Sequence, residues 1–180
     1  MVPVAFRNNT ASCMIAVEIA ERVGASALAV AQSLHVIHGR PSWSAQFIIG
    51  VVNSSGRFKH ELRFRTSGEG DDKTVTAWTV DRSTGEVIEG PGVSIRMAKA
   101  EKWIDKPGSK WQTMPDLMQK YRAATFFGRL YCSDIILGMQ STDEVHDIID
   151  VTPSEAPAVN EINDKINKAK RANAPAEEIF

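Results

Sequence analysis

The sequence of 180 residues has no run of about 20 apolar residues and no charged amino-terminal segment followed by an apolar block. We therefore expect neither a membrane span nor a signal peptide, and a cytoplasmic protein without a membrane partner. Cysteine is scarce: Cys13 and Cys132 lie far apart in apolar surroundings. This spacing predicts two reduced core thiols rather than a disulfide framework or a zinc site.

Motifs for covalent catalysis and nucleotide hydrolysis are missing as well. The chain has no G-x-S-x-G, no P-loop lysine motif, no G-x-G-x-x-G after a strand and no cysteine beside a plausible base. His35 and His38 have H-x-x-H spacing, but on a strand their side chains point to opposite faces and no third ligand is near. We expect no cofactor, no metal and no enzymatic activity.

One catalytic alternative stays open. Four carboxylates, those of Asp143, Glu144, Asp147 and Asp150, are close in sequence and would suit magnesium in a metal-dependent nuclease. The stronger interpretation is structural: their position at the start of a capped helix already explains two of them, because acidic side chains there interact favourably with the helix dipole.

The chain has no large excess of positive or negative charge, since its net charge is −1. Basic and acidic residues are nevertheless distributed unevenly along it. Residues 35–130 hold fifteen basic and ten acidic side chains, a net charge of +5. Residues 131–180 hold four basic and ten acidic side chains, a net charge of −6. A basic middle segment permits a polyanionic partner, and the acidic tail either solubilises the protein or competes for the same surface.

The hydrophobic pattern predicts an α+β fold, with a three-stranded antiparallel β-meander packed on a long helix and flanked by short amino-terminal helices. A helical period over residues 11–23 would bury Met14, Ile15, Ile19 and Val23. The core should occupy residues 1–150. Residues 151–180 are rich in proline, alanine and charge, which is typical of a mostly disordered tail.

From residue 57 the hydrophobic period changes from helical to two. In FKHELRFRT, Phe58, Leu62 and Phe64 mark buried positions, whereas Arg63 and Arg65 point to the opposite face. The segments KTVTAWTVD and EVIEGPGVSIR are the next two strands, the second one interrupted by its Gly-Pro-Gly sequence. One face of the sheet is therefore predicted to be basic.

The segment from residue 109 to 139 predicts the long helix. Thr113 can cap a helix that begins near Met114, and Pro115 sits where a first turn tolerates proline. Arg122 and Arg129 are two turns apart, about 10 Å along the axis, so both guanidinium groups could follow one phosphate chain. A solvated basic edge is the alternative. The residues predicted to form the buried stripe are Leu117, Tyr121, Ala124, Gly128 and Tyr131.

Aromatic and basic residues are interleaved from the strands to this helix, which suits single-stranded nucleic acid, because phosphates bind cations and unstacked bases bind aromatic faces. For Trp111, Tyr121 and Phe127, a core position is the stronger interpretation. The interleaved residues are Arg63, Arg65, Lys99, Lys102, Trp103, Lys106, Lys110, Trp111, Lys120, Tyr121, Arg122, Phe126, Phe127 and Arg129.

The segment WQTMPDLMQKYRAATFFGRLY, followed by DIILGMQSTDEVHDI, resembles the signature of the RecT and Redβ family of phage single-strand annealing proteins. The upstream segment ALAVAQSLHVIHGRPSWSAQFIIGVVNSSGRF is similar to the family's amino-terminal helix, strand and helix, so the resemblance covers about residues 25–150. It implies ATP-independent binding of single-stranded DNA and annealing of complementary strands in phage-type recombination, inside the bacterial host cell.

The resemblance also implies a homo-oligomeric ring or filament, and DNA in a basic groove between the meander and the long helix. A phage exonuclease or a host single-strand binding protein would contact the tail. The chain departs from the family at Asp116 and Leu117, where some members are basic. A further alternative for the function of the protein is a structural role, in which it forms an oligomer that does not bind DNA. The candidate DNA-binding residues are Arg63, Arg65, Lys99, Lys102, Lys110, Trp111, Lys120, Arg122 and Arg129.

Overall fold

The computed structural model describes residues 3–37 and 40–147. These belong to a compact unit of residues 1–148. The described part is mixed α+β, as predicted. Its α-helices are α1 (Thr10–Val23), α2 (Ala27–Ser33), α3 (Ala45–Ser54), α4 (Ile95–Ala100), α5 (Lys110–Thr113), α6 (Pro115–Tyr131), α7 (Ser133–Ile136) and α8 (Thr142–Asp147). The predictions for the tail and for Asp150 lie outside the described residues.

The strands form two antiparallel sheets. The smaller one pairs β1 (Leu34–Ile37) with β2 (Arg40–Trp43), and the larger one contains β3 (Arg63–Ser67), β4 (Thr74–Val80), β5 (Val87–Glu89) and β6 (Val93–Ser94). In the larger sheet β3 pairs with one edge of β4, while β5 and β6 pair with the other. The predicted third strand is thus two short strands, because the Gly-Pro-Gly sequence interrupts the ladder.

Helix α6 lies between α3 and the larger sheet. Phe127 meets Phe58 edge to face at 5.6 Å between ring centroids. Gln119 is fully buried, and its Nε2 donates to the backbone oxygens of Lys73 and Val93 at 2.7 and 2.9 Å. These contacts join the helix to the apolar face of the sheet. No described helix is long and apolar enough to span a membrane.

Helix boundaries follow local signals in most places. Ser26 caps α2, since its hydroxyl accepts from the backbone N–H of Ala29 at 3.1 Å. Gly24 ends α1 in the left-handed region at φ 64°. The predicted cap at Thr113 is wrong, because Thr113 closes the separate helix α5 and α6 begins at Pro115 without a side-chain cap.

Two predicted core stripes are wrong in part. In α1, Ile19 is buried, but Met14 and Ile15 are 67% and 49% exposed. In α6, Leu117 and Tyr131 of the predicted stripe are exposed. The buried surface of α6 is instead wider than one amphipathic stripe, because α3 and the larger sheet cover the helix on two sides. The buried residues of α6 are Met118, Gln119, Arg122, Ala123, Ala124, Thr125, Phe127 and Gly128.

Gly128 lies at a close contact between α6 and α3. A Cβ atom there would lie 2.8 Å from Ile48 Cγ2, whereas a Cβ at Gly50 of α3 would meet nothing within 4 Å. Gly128→Val should therefore lower the free energy of unfolding by about 1–3 kcal/mol through overpacking. Gly50→Ala should raise it by about 0.5–1 kcal/mol through helix propensity. Urea denaturation measures both, and equal effects at the two sites would contradict the packing.

Candidate functional site

The larger sheet separates its side chains cleanly by strand alternation. On β4, Val75 and Ala77 are buried on the side of α6, while Trp78 lies on the opposite face and is partly buried. On β3, Arg63 and Arg65 are exposed. Arg63 is the register partner of Trp78, so the two arginines and the tryptophan share the outer face of the sheet.

Trp78 lies within cation–π distance of both arginines. The Cζ atom of Arg63 is 5.9 Å from the centroid of the indole ring, and that of Arg65 is 5.4 Å from it. Both distances are within the 6 Å at which the ring quadrupole attracts a cation. An aromatic ring and two cations are therefore held together on the outer face by adjacent strands.

A carboxylate completes this cluster on the other side of Trp78. Glu89 of β5 is the second register partner of Trp78, so Arg63, Trp78 and Glu89 form a row across three strands. Arg65 Nη1 donates to Glu89 Oε1 at 2.5 Å, and the two side chains are 56% and 43% exposed. We call Arg63, Arg65, Trp78 and Glu89 the outer-face cluster.

Trp78 was not among the candidate site residues predicted from the sequence, although the alternation of residues in its strand indicates which face it lies on. Valine, alanine and threonine alternate with it in TVTAWTV, and the apolar Val75 and Ala77 fix which face is buried. A tryptophan on the other face of such a strand lies on the solvent side of the sheet. The expectation of a basic strand face at Arg63 and Arg65 is confirmed.

The arginines of the long helix are arranged differently from the prediction. Arg122 is only 5% exposed, its Cζ lies 4.0 Å from the centroid of the Trp103 ring, and its guanidinium donates to Asp147. The predicted flank on which Arg122 and Arg129 follow one phosphate chain is therefore wrong for Arg122. The buried ion pair joins α6 to α8, and Lys106 Nζ adds a contact to Asp147 at 3.7 Å.

Burial raises the pKa of the Asp147 carboxyl above its usual value, and the charges of Arg122 and Lys106 offset this only in part. Arg129 is 40% exposed along its side chain, and its Nη1 donates to Glu144 Oε1 at 2.8 Å. Glu144 also accepts from the backbone N–H of Ser141, which completes the capping box predicted for α8.

Glu144 and Asp147 are thus each bound to an arginine of α6. Among residues 3–37 and 40–147, no three His, Cys, Asp or Glu side chains are grouped so that they could hold a metal ion. Asp143 lies in the same helix, α8, and lines a cleft of about 750 Å³ beside it. His38 is not among the described residues.

Trp111 is a core residue, which confirms the core position that the sequence favoured for it. It is 3% exposed and lies 5.3 Å from Trp103 between ring centroids, so it offers no face to a base. Lys110 precedes it as an exposed residue that lines the same cleft as Asp143. The candidate role of Trp111 in DNA binding is therefore not compatible with its burial.

The remaining lysines are exposed but scattered. Lys99 Nζ donates to both carboxylate oxygens of Asp71 at 2.7 and 2.8 Å. Lys102 follows α4 with a left-handed φ of 58°, and Lys120 is on the exposed side of α6. The outer-face cluster unites only Arg63 and Arg65 among the nine candidates.

The prediction of a groove between the long helix and the basic face of the sheet is wrong. Helix α6 packs on the apolar face of the sheet, so Arg63 and Arg65 point away from it. An amphipathic sheet packs its apolar face on a helix and leaves its polar face outside, which makes this arrangement unavoidable.

No family model, no curated protein and no solved structure matches the chain.

Replacing Arg122 with alanine should lower the free energy of unfolding by about 3–5 kcal/mol, because Asp147 is left as a buried carboxylate without its partner. The loss should be smaller at pH 5 than at pH 7. The folded variant holds the Asp147 proton more tightly than the unfolded chain does, so protonation favours the folded state. Urea denaturation at the two pH values measures this.

Lys120→Ala is the matched control for Arg122→Ala, since Lys120 is exposed on the same helix. It should change the free energy of unfolding by less than about 0.5 kcal/mol. A stable Arg122→Ala protein with impaired nucleic-acid binding would contradict a structural role for Arg122 and restore it to the binding site.

Proposed function

We propose that the protein binds single-stranded DNA and anneals complementary strands without ATP, as a DNA-binding protein rather than an enzyme. The observation that carries the proposal is that Trp78 lies within cation–π distance of both Arg63 and Arg65 on the outer face of the sheet. A tryptophan supplies a stacking surface for a base, and the arginines supply cations for the phosphates on either side of it.

The arrangement favours single strands over duplexes. In a duplex both faces of each internal base are already stacked, so Trp78 has no free base on which to stack. In a single strand the base is free to stack, which adds about 1–3 kcal/mol to the electrostatic attraction. Stacking is also tolerant of sequence, because every base has a π-face.

An open sheet face suits annealing because the bound strand is not enclosed. Arginines that neutralise phosphates reduce the repulsion between two strands, and a second strand can approach from the solvent side. The three strands are about 10 Å wide, so one protomer holds few nucleotides and binds weakly. A homo-oligomer would align many such faces and gain affinity through effective concentration.

The resemblance to the RecT and Redβ family supports the same function, and it motivates three finer parts of the proposal. These are assembly as a ring or filament, action in the cytoplasm of a bacterial host during phage-type recombination, and contact of the tail with an exonuclease or a single-strand binding protein. The outer-face cluster gives the proposal a residue-level basis that does not depend on the resemblance.

Trp78→Ala should weaken binding of a single-stranded oligonucleotide by about 5- to 150-fold, which corresponds to the loss of one stacked base. Trp78→Phe should retain part of the affinity, because a smaller aromatic ring still stacks. The slope of log K against log salt should be unchanged in both variants, since no phosphate contact is removed. Fluorescence anisotropy with a labelled oligonucleotide measures affinity and slope together.

Arg63→Gln should reduce the salt slope by about 0.7, the value for one phosphate contact on a single strand, and Arg65→Gln should reduce it by less, because Arg65 is already paired with Glu89 in the free protein. Arg22→Gln on α1 removes the same charge from a residue whose side chain is 60% exposed, and it should leave the slope unchanged. Equal effects of all three substitutions would indicate binding through net charge alone and would remove the outer face from the site.

The annealing activity itself is tested with two complementary oligonucleotides, one of them labelled, in the absence of nucleotide and of metal. The intact protein should accelerate duplex formation, and Trp78→Ala should abolish the acceleration at the same concentration. Binding without acceleration would reduce the function to single-strand binding. Shortened strands after addition of magnesium would favour a nuclease instead.

A further inference from the structure

Arg65 does not merely lie near Trp78; it crosses the strand on which Trp78 is located. Arg65 is on β3, Glu89 is on β5, and β4 runs between them. Neighbouring strands are about 4.8 Å apart, so the Arg65 and Glu89 side chains together span about 10 Å across β4. The 2.5 Å contact between Arg65 Nη1 and Glu89 Oε1 thus holds the arginine across the outer face.

The crossing brings the guanidinium group over the indole. Its Cζ atom is 5.4 Å from the centroid of the Trp78 ring, and Trp78 is only partly exposed, although it lies on the solvent side of the sheet. A base that stacks on this ring needs the same space. The free protein therefore has its stacking surface occupied by Arg65, which Glu89 holds in place.

We propose that Glu89 is an internal competitor of the DNA phosphate, which keeps Trp78 covered until a strand displaces it. The inference rests on the proposed function and concerns the regulation of the same site. A phosphate takes the place of the Glu89 carboxylate on Arg65, the guanidinium moves off the ring, and an unpaired base stacks on Trp78. Carboxylate and phosphate compete directly because both accept charge-assisted hydrogen bonds from a guanidinium group.

This exchange specifies the ligand more narrowly than stacking alone. The ligand must present an unpaired base and a phosphate together, because the base cannot reach the ring while Arg65 is bound to Glu89. A nucleoside has no phosphate to displace Glu89, and duplex DNA has no free base to stack. The site selects short single-stranded segments over both.

The exchange also predicts an unusual salt dependence. When a phosphate displaces Glu89, the freed carboxylate takes up a cation from solution, which offsets part of the counterion release from DNA. Glu89→Gln removes this offset, so its salt slope should be steeper than that of the unaltered protein by up to about 0.7. Its affinity should be about two- to fivefold tighter, as expected for release from an exposed ion pair.

Glu86→Gln is the matched control for charge. Glu86 is an exposed residue in the turn before β5, only three positions from Glu89, and its loss changes the net charge by the same amount. It should alter the slope and the affinity much less than Glu89→Gln. Anisotropy titrations of both variants with the same oligonucleotide at several salt concentrations make the comparison.

A second measurement needs no DNA. Trp43, Trp103 and Trp111 are buried, so Trp78 dominates the tryptophan fluorescence that a neutral quencher can reach. Acrylamide should quench the Glu89→Gln protein more strongly than the unaltered protein or Glu86→Gln. The increase in quenching should disappear in the double variant Trp78→Phe with Glu89→Gln, because the fluorescent side chain that becomes accessible is then missing.

The two experiments separate the inference from the function on which it rests. Stronger quenching in Glu89→Gln without any oligonucleotide binding would support the cover over Trp78 and overturn the proposed function. Binding that Trp78→Ala impairs, but that Glu89→Gln and Glu86→Gln affect equally, would support the function and overturn the competitor. Unchanged quenching in Glu89→Gln would also overturn the competitor.

Discussion

The structure depends on the packing of α6 between α3 and the apolar face of the larger sheet. Gly128 lets α3 approach the helix backbone, since a side chain there would collide with Ile48. On the other side Gln119 donates to the backbone of the sheet, and Phe127 packs against Phe58. Because the helix is covered on two sides, it buries polar as well as apolar residues, and the Nε2 of Gln119 and the hydroxyl of Thr125 donate to backbone oxygens.

This constraint accounts for the fate of the basic residues. Arg122 lies in the interior, where its positive charge needs a partner. Asp147 forms an ion pair with it, and the Trp103 ring contacts its guanidinium group. The same packing turns the polar side of the sheet outward, where Arg63 and Arg65 meet Trp78. The packing of α6 against the sheet therefore buries Arg122 and leaves Arg63, Arg65 and Trp78 together on the outer face of the sheet.

The outer-face cluster combines attraction and competition within three strands. Arg63 is exposed on the outer face, whereas Arg65 is held by Glu89 and lies over Trp78. A carboxylate beside a phosphate-binding arginine lowers affinity for anions in general, and a stacking ring restores it only for ligands that carry a free base. Selectivity for single strands would then arise from the balance of the two effects rather than from an enclosed pocket.

The sequence by itself determined the α+β class, the basic strand face, the caps at Ser26 and Ser141 and the helix end at Gly24, because each follows from contacts between residues close in the chain. Tertiary structure decided which face of α6 is buried, since helical periodicity describes one stripe and α6 is packed on two sides. It also decided that Arg65 crosses β4 to Glu89. Strand pairing brings these two residues together across 24 positions of the chain, and no local pattern encodes that register.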